Sequence, residues 1–337
     1  MEKTFDVIGI GQPCVDYAVR VPDMPKADAG CRVLGTSWQG GGVVPTGLAA
    51  ASRLGLRCAL ISSVGDDMLG HYCCRDLLNH GVDLSQTRIR ENSVTDMAVI
   101  LSDDQTHGRS ILYQPGTAKP LVWGEIDTDF LRGAAYLYLG GCGEIEKKAA
   151  QIVKSSGGEV LIDASYGQLQ SYEALLPLID CFIGSAYLYR SCFQNERYEE
   201  NLRLIQAMGP NTVAFTFGSE GVRAVRGETY TEVPAFRVDT VDTLGAGDVF
   251  HGAFFYGLKH RLSLNETVRF ASAVSAIKCT APGGRAGIPT EKTVRQFLET
   301  GRIDRNEIQA RIDRYARGLD DFMREDGRRR QYGTEKH

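Results

Sequence analysis

The chain has 337 residues, of which 43% are hydrophobic, and its formal net charge is −4. This size and composition suffice for one large α/β domain or two modest ones. There is no basic excess to indicate nucleic-acid binding, and no apolar run reaches the roughly 18 residues that a membrane helix needs. The first residues lack the basic start and long apolar stretch of a signal peptide, so we expect a cytoplasmic protein without nucleic-acid or membrane partners.

The nine cysteines show no CxxC pair and no metal-ligand spacing. The six histidines include no HxxxH pair. These patterns predict reduced thiols and no zinc centre built by the protein.

Short apolar runs that are typical of buried strands recur along the chain, with helical spacing between them. Strands are expected at residues 5–11, 59–64, 135–139, 160–163, 181–183 and 213–217. Amphipathic helices are expected at residues 44–54, 68–79, 145–155 and 199–208. This alternation predicts a mostly parallel sheet with helices on both faces.

Four further segments alternate in period two around turn residues, at residues 15–21, 31–37, 95–101 and 109–114. We expect them to form a small antiparallel sheet inserted into the α/β body. One face of such a sheet needs cover, so it is a candidate lid over a cleft or a surface for dimerisation.

The last segment, residues 301–337, is rich in charge and carries apolar residues at helical spacing. These residues are Ile308, Ile312, Tyr315, Leu319 and Phe322. The pattern predicts an amphipathic helix that docks on the body or on a partner chain, followed by a solvated end. We interpret Arg328, Arg329 and Arg330 as surface charge.

The segment DTLGAGDVFHGAF, residues 242–254, allows two interpretations. In the first, Asp248 caps a helix, Gly245 and Gly247 allow a tight turn, and the following apolar residues form a buried face. In the second, a turn of small residues at a helix N-terminus directs backbone N–H groups at a phosphate, which the helix dipole also favours. Asp248 would then orient an acceptor hydroxyl and take its proton late in phosphoryl transfer.

Other glycine clusters are ambiguous when each is taken alone. Gly9 and Gly11 follow the first strand, but the third glycine of a dinucleotide-binding fingerprint falls at Cys14, so we discount a Rossmann site. The remaining clusters lie at residues 38–42, 216–221 and 281–287. The second of them, TFGSEG, fits either a nucleotide phosphate loop or an ordinary strand-turn-strand hairpin.

Taken in order over roughly residues 5–300, these segments resemble the ribokinase-like, or PfkB, carbohydrate kinases. Residues 242–254 are similar to the family's long C-terminal signature, DTxGAGDxFxxxF, which favours the phosphate-site interpretation. The resemblance implies a ribokinase-like three-layer α/β sandwich over residues 1–300, with lid strands from about 14–37 and 94–114. Residues 301–337 would follow as the C-terminal helix and charged tail.

The resemblance also implies roles for individual residues. Asp248 would be the base that orients a sugar hydroxyl, and the amides of Gly245, Ala246 and Gly247 would form the anion hole for the transferred phosphoryl group. Asp16 stands where the family's lid-borne Asp grips sugar hydroxyls. Further substrate contacts would come from Gly41, Gly42 and Thr46. Nucleotide contacts would come from Thr216, Gly218, Ser219, Gly221 and Gly284.

The cofactors that the resemblance implies are ATP, Mg²⁺ and a monovalent cation such as K⁺. The family's cation site is built largely from carbonyl oxygens and stiffens the anion hole. Its counterpart here would involve Asp242, Leu244, Ala281 and Gly284.

Three positions depart from the family pattern. Thr46 stands where the family's GGxxxN signature has Asn, so an amide donor is lost. Residues 185–188 read SAYL in place of the family's NxxE, as in ketohexokinase-like members, so Mg²⁺ would be held by the nucleotide and by water. Leu244 fills a position that is often Thr or Asn, which costs little if only its carbonyl is used.

The sequence is most similar to bacterial sugar kinases of the sulfofructose kinase and ketohexokinase-like branch. Gly141 stands where sulfofructose kinases have a sulfonate-binding Arg, which disfavours a sulfo-sugar and leaves a ketose, an aldonate or a pentose. Arg109, on the inserted sheet, either reaches an acidic substrate or is a surface residue, and we favour the surface.

We therefore expect an ATP-dependent kinase for a small sugar, forming a homodimer through the lid sheet. One alternative is a nucleoside kinase on the same scaffold, which would need an aromatic or apolar pocket; the aromatic residues weighed for it are Trp38, Tyr113 and Phe255. Another is a catalytically idle, kinase-like binding or regulatory protein.

Overall fold

The structure is a computed structural model that describes residues 3–105, 108–165, 167–319 and 321. Its strands are β1 (Phe5–Ile10), β2 (Cys14–Val21), β3 (Gly35–Gly41), β4 (Cys58–Gly65), β5 (Val82–Arg90), β6 (Asp96–Asp103), β7 (Arg109–Gln114), β8 (Ala134–Leu139), β9 (Glu159–Ala164), β10 (Cys181–Ser185), β11 (Thr212–Thr216), β12 (Val222–Arg226) and β13 (Thr229–Val233). Its helices are α1 (Val43–Arg53), α2 (Met68–Asn79), α3 (Thr128–Arg132), α4 (Glu144–Ser155), α5 (Ala186–Cys192), α6 (Tyr198–Gln206), α7 (Ala246–Lys259), α8 (Leu264–Lys278), α9 (Glu291–Thr300) and α10 (Asn306–Arg317).

Among the described residues, nine strands form the central sheet, in the order β13-β12-β11-β10-β9-β8-β1-β4-β5. All pairings from β11 to β5 are parallel, and β12 and β13 add an antiparallel edge. One face of the sheet packs on α1, α7 and α8 through side chains such as Leu48 and Phe254. The other face packs on α4 and α6 through side chains such as Ala149 and Leu202. This arrangement confirms the predicted mostly parallel sheet with helices on both faces.

The sequence pattern did not indicate β5, the strand at the other edge of the sheet. Its sequence, VDLSQTRIR, has few apolar residues, and only Val82 is buried. An edge strand has a neighbour on one side only, so it buries too few residues to leave the apolar run by which the central strands are recognised.

The inserted sheet has four strands in the order β3-β2-β6-β7, and it corrects two expectations. First, residues 31–34 are not a strand, because β3 begins at Gly35 and continues through the glycines to Gly41. Second, the sheet is mixed rather than antiparallel, since β2 pairs with β6 in parallel. Strands β2 and β6 follow β1 and β5, which point the same way in the central sheet, so both enter the lid in one direction.

Helix α10 is the amphipathic helix expected near the C-terminus, and it docks on the body. Its Ile308 and Tyr315 are buried in the same hydrophobic cluster as side chains of α1 and α7. Leu319, just beyond the helix, packs against Val15 and Tyr72. Phe322 and the arginines at 328–330 lie outside the described residues. Within the part of the chain that is described, no helix has the length and apolar character to cross a membrane.

Candidate active site

The turn before α7 brings the signature segment against the loop at residues 281–287. Helix α7 begins at Ala246, and Gly245 before it adopts a left-handed conformation with φ of 71°. A Cβ at Gly245 would lie 3.1 Å from Cα of Gly284, so the close approach of turn and loop depends on glycine there. Asp248 lies inside the first turn of the helix and is not its N-cap residue, so the interpretation of Asp248 as a cap is wrong.

The start of α7 presents N–H groups that the helix itself does not use. The N–H of Ala246 donates to the carbonyl of Thr243 over 3.2 Å. Among the hydrogen bonds of the described residues, the N–H groups of Gly245 and Gly247 have no acceptor. Together with the helix dipole, these groups make the turn a suitable seat for an anion.

Asp248 shares this region with two other carboxylates, Asp16 on β2 and Asp163 on β9. Removal from water is the main reason why the pKa of Asp248 lies well above its ordinary range, and the charges of Asp163 and Asp16 raise it further. Burial likewise raises the pKa of Asp16 to about 6. Carboxyl groups with pKa values raised by burial and by one another are typical of sites that transfer protons.

His251, which is not among the residues predicted from the sequence, is buried with Asp163 next to Asp248. His251 Nδ1 lies 3.2 Å from Asp163 Oδ2 and 2.6 Å from the carbonyl oxygen of Gly247. Its Nε2 lies 3.3 Å from the carbonyl oxygen of Ile183. All three neighbours of the ring are hydrogen-bond acceptors. The sequence clue was an Asp near the carboxyl end of a parallel strand, paired with a His inside the signature.

The structure places Asp16 directly against the end of β3. A Cβ at Gly41 would overlap both carboxylate oxygens of Asp16, so the glycine makes room for the acid. Cys14 Sγ donates to Asp16 Oδ1 over 3.3 Å. Gly42 follows as the N-cap of α1 with φ of 92°. Asp16, Gly41 and Gly42 therefore lie close together.

Thr46 is turned toward a buried arginine that the sequence analysis did not single out. The Thr46 hydroxyl accepts from Arg285 Nε over 3.3 Å, and both side chains are buried. Arg285 also donates to the carbonyl of Gly41 over 2.8 Å and pairs with Asp76 at 2.7 Å. Thr46 thus helps to hold the wall of the site, and its contact with the substrate stays a prediction.

The loop at residues 216–221 joins the antiparallel strands β11 and β12, so the hairpin interpretation is confirmed. It does not exclude nucleotide contact, since Gly218 and Ser219 are exposed at the carboxyl end of β11. Parallel pairing of β9, β10 and β11 puts this loop at the same sheet edge as Asp163. Gly221 has a packing role, because a Cβ there would overlap the carbonyl oxygen of Val233.

Comparison with known proteins identifies the family to which the chain belongs. The profile of the "pfkB family carbohydrate kinase" family matches residues 9–291. The chain belongs to this family. It is therefore a carbohydrate kinase with a ribokinase-like fold.

Individual relatives agree with this assignment. Over 313 residues the kinase is 28% identical to the ribokinase of Haemophilus influenzae, covering 89% of this chain and 99% of the relative. Over 301 residues it is 30% identical to the ATP-dependent ribose-1-phosphate kinase of Halopiger xanaduensis, covering 87% of this chain and 97% of the relative. A ribokinase II from E. coli, solved with ATP and Mg²⁺, has the same fold with a TM-score of 0.77 at 20% identity, covering 89% of this chain and 99% of that one.

The position of the missing NxxE motif offers no carboxylate for Mg²⁺ in this kinase. The Ser185 hydroxyl caps α5 by accepting from the N–H of Leu188 over 3.3 Å, and it donates to the carbonyl of Ser165 over 3.0 Å. Leu188 is fully buried. Throughout residues 3–105, 108–165, 167–319 and 321, no group of three or more His, Cys, Asp or Glu side chains is arranged to hold a metal ion.

Asp242, one of the four residues expected to bind a monovalent cation, has its oxygens bonded within the protein. Asp242 Oδ1 accepts from the N–H of Leu244 over 2.8 Å, and Oδ2 accepts from the N–H of Gly283 over 2.9 Å. The main-chain oxygen of Asp242 accepts from the ammonium of Lys278 over 2.9 Å. Every oxygen of Asp242 is thus bonded to an N–H group of the protein itself.

The lid sheet contacts the signature turn at two points. Arg109 Nη1 donates to Thr243 Oγ1 over 2.8 Å, so Arg109 is exposed, as we favoured, but also bridges lid and turn. Leu244 packs against three lid side chains, Ala18, Ala98 and Ile100. The turn before α7 is therefore in contact with the lid.

The three aromatic residues weighed for a nucleobase pocket do not come together. Phe255 is buried in the core against Tyr138. Trp38 stacks on Tyr17 with ring centroids 4.3 Å apart. Only Tyr113 is exposed, on β7 of the lid.

Proposed function

We propose that this kinase transfers the γ-phosphoryl group of ATP to a hydroxyl group of a small neutral sugar, with Asp248 as the base. The observation that carries the proposal is the position of Asp248 in the first turn of α7. There its carboxyl group lies beside N–H groups for which the described residues provide no acceptor, and beside Asp16 and Asp163. A base next to an anion seat is what phosphoryl transfer to a hydroxyl requires.

The proposed division of labour follows from these contacts. Asp16 holds hydroxyl groups of the sugar against Gly41 and Gly42, and Asp248 accepts the proton of the hydroxyl that is phosphorylated. The N–H groups of Gly245, Ala246 and Gly247 receive the oxygens of the transferred group. For this, the N–H of Ala246 exchanges its long bond to Thr243 for a phosphoryl oxygen, since charged acceptors form the stronger hydrogen bond.

ATP is proposed to lie along the carboxyl edge of the sheet. Its contacts would be Thr216, Gly218, Ser219, Gly221 and Gly284. The relative from Halopiger is named as ATP-dependent, and the E. coli ribokinase II structure holds ATP and Mg²⁺. Because residues 185–188 provide no carboxylate, Mg²⁺ is proposed to arrive bound to the phosphates and to keep water as its other ligands.

A neutral acceptor fits the charge of the site better than a sulfo-sugar. Three carboxylates surround the position of the reacting hydroxyl, and like charges repel. At Gly141, where sulfofructose kinases carry an Arg, a Cβ would lie 3.0 Å from Glu146 Oε1. An acidic side chain thus stands where a sulfonate would need a cation.

The test is ADP release with Mg·ATP over a panel of acceptors, with the product identified by ³¹P NMR. The panel contains neutral ketoses and pentoses, aldonates, sulfofructose, ribose 1-phosphate and nucleosides. We expect turnover with a neutral sugar. Preferred turnover of an anionic sugar would contradict the neutral-acceptor proposal, and preferred turnover of a nucleoside would replace it with the nucleoside kinase. Binding without turnover of any acceptor would support an idle binding protein.

We also propose a homodimer formed through the lid sheet. Strand β7 is an edge strand, and all six of its residues are exposed, including Ile111, Leu112 and Tyr113. An exposed apolar edge of this kind needs cover. Light scattering should give the mass of two chains for the native protein and of one chain for Leu112→Lys, whereas a native monomer would contradict the proposal.

A further inference from the structure

Lys278, the last residue of α8, is a fully buried lysine close to the proposed anion hole. In water an ammonium group is strongly hydrated, so its burial is costly unless protein oxygens replace the water. Its described acceptor is a main-chain carbonyl, that of Asp242, at 2.9 Å. A lysine in this setting is unusual and calls for a role.

The carbonyl that Lys278 holds belongs to the segment that leads into the Gly245 turn. The N–H groups of Val241 and Asp242 donate to the carbonyl of Cys279, over 2.8 Å and 3.1 Å. The Asp242 carboxylate bonds the turn through Leu244 and the loop at 281–287 through Gly283. Hydrogen bonds of Asp242 therefore connect the end of α8, the Gly245 turn and the loop at 281–287.

The charge of Lys278 also reaches the reacting groups. Its charge, like that of Arg285, lowers the pKa of Asp248 against the effect of burial. The buried ammonium thus offsets part of the negative charge that Asp16, Asp163 and Asp248 bring to the site.

We propose that the ammonium group of Lys278 takes the place of a bound monovalent cation. It binds a main-chain carbonyl oxygen and supplies positive charge, as a bound K⁺ would. Carbonyl oxygens bind K⁺ by replacing its hydration shell, and here the ammonium occupies the Asp242 carbonyl instead. The kinase then needs no free monovalent cation. This inference rests on the proposed function in one respect, namely that residues 245–247 form the anion hole. Lys278 is a positioning residue that holds the segment leading into them.

The first test is thermal unfolding in KCl and in tetramethylammonium chloride at equal ionic strength, without substrates. We expect native protein to have the same midpoint in both salts. Lys278→Ala, which leaves space beside the Asp242 carbonyl, should unfold at a lower temperature and regain part of the difference only in KCl. Lys259→Ala is the matched control, because Lys259 is a helical lysine paired with Asp6 at 2.6 Å away from the site. It should lose stability without responding to K⁺.

The second test is the rate of sugar phosphorylation in the same two salts. The native rate should not depend on K⁺. The Lys278→Ala rate should fall roughly 10–100-fold without K⁺, as for the loss of a group that orients an active site, and should recover several-fold in KCl. Lys278→Gln, which keeps a hydrogen-bond donor but lacks the charge, should also be slow and provides a second variant if Lys278→Ala does not fold.

Two results would overturn the inference. One is a saturable rise in the midpoint or the rate of the native protein on adding K⁺, which would show that the kinase binds a free cation. The other is a folded Lys278→Gln or Lys278→Ala protein with the native rate. The unfolding comparison does not depend on sugar turnover, so it can succeed even where no acceptor is phosphorylated, in which case only the proposed function fails.

Discussion

At the scale of single residues, the site is defined by three carboxylates with different surroundings. Asp163 is held by His251, by the N–H of Ser165 over 2.9 Å and by Tyr138, so its orientation is fixed. Among the described hydrogen bonds, the carboxyl group of Asp248 takes part in none and remains available to a substrate. Asp163 therefore influences the chemistry mainly through its charge.

Asp163→Asn should shift the pH dependence of the reaction to lower pH. The negative charge of Asp163 raises the pKa of Asp248, so its removal lets Asp248 lose its proton at lower pH. The value of kcat/KM for the sugar rises as Asp248 of the free enzyme deprotonates, and this rise should begin earlier in the variant. The measurement is the kcat/KM profile against pH, with Asp129→Asn as a control at a carboxylate that is 91% exposed. A rise that stays in place or moves to higher pH would contradict this account.

The residues that the sequence identified differ in kind from those that it missed. Asp248 and its glycines lie in one continuous segment whose residue types are chemically informative. Lys278, Arg285 and His251 acquire their roles from partners far away in the chain, as when Arg285 bonds Gly41. A single lysine or arginine in a sequence is normally a surface charge, so only the fold reveals the roles of Lys278 and Arg285.

At the scale of elements, the lid contacts the turn that is proposed to bind the transferred phosphoryl group. Leu244 packs against lid strands β2 and β6, and Arg109 of the lid donates a hydrogen bond to Thr243. Leu244 and Thr243 both lie within two residues of Gly245. A lid held over the acceptor excludes water, which competes with the sugar for the phosphoryl group.

Arg109→Ala should therefore weaken closure. We expect KM for the sugar to rise about 10-fold, which corresponds to the loss of one hydrogen bond of a charged group. ADP release in the absence of sugar should rise at the same time, because water enters the less tightly closed site. Arg20→Ala is the control, since Arg20 is a lid arginine that pairs with Asp104 within the lid. Unchanged KM and unchanged ADP release would show that the Arg109 contact does not close the lid.

The glycines of β3 show what a glycine cluster can indicate. Residues 38–42 are ambiguous in the sequence, and in the structure Gly40 and Gly41 lie in the strand. A Cβ at Gly40 would overlap Arg285 Nη1, and one at Gly41 would overlap the Asp16 carboxylate. Gly40 and Gly41 are required by close packing rather than by a turn. Their packing partners are distant in sequence, so no local sequence pattern indicates them.

At the scale of the whole molecule, the last helix joins the network around the site. Helix α10 lies beyond the matched residues 9–291, yet Tyr315 donates to Asp76 Oδ1 over 2.6 Å. Asp76 in turn pairs with Arg285, which holds Gly41 and Thr46. The pattern of apolar residues predicted that this helix docks, but not that it reaches the site through a buried tyrosine.

Tyr315→Phe should destabilise the fold, because the buried Asp76 carboxylate loses a hydrogen bond. The expected loss is about 1.5–3 kcal/mol in the free energy of unfolding, the range for hydrogen bonds to charged groups. Thermal unfolding measures it, with Tyr187→Phe as a control at a tyrosine that is 71% exposed. Equal midpoints for Tyr315→Phe and the native protein would show that α10 does not support the network.

The role of Asp248 as the base is the central claim, and Asp248→Asn tests it most directly. Its pKa is raised in the folded state, so the ionised carboxyl costs stability once the pH exceeds the unfolded value, and the neutral amide removes this cost. Around neutral pH the variant should therefore be at least as stable as the native protein, which separates lost chemistry from lost folding.

The measurement is kcat for the best acceptor, alongside sugar affinity by calorimetry. We predict that Asp248→Asn lowers kcat by about 10²–10⁴-fold, the usual contribution of a positioned base, while sugar affinity is largely retained. A folded Asp248→Asn protein with a kcat close to that of the native kinase would contradict the account.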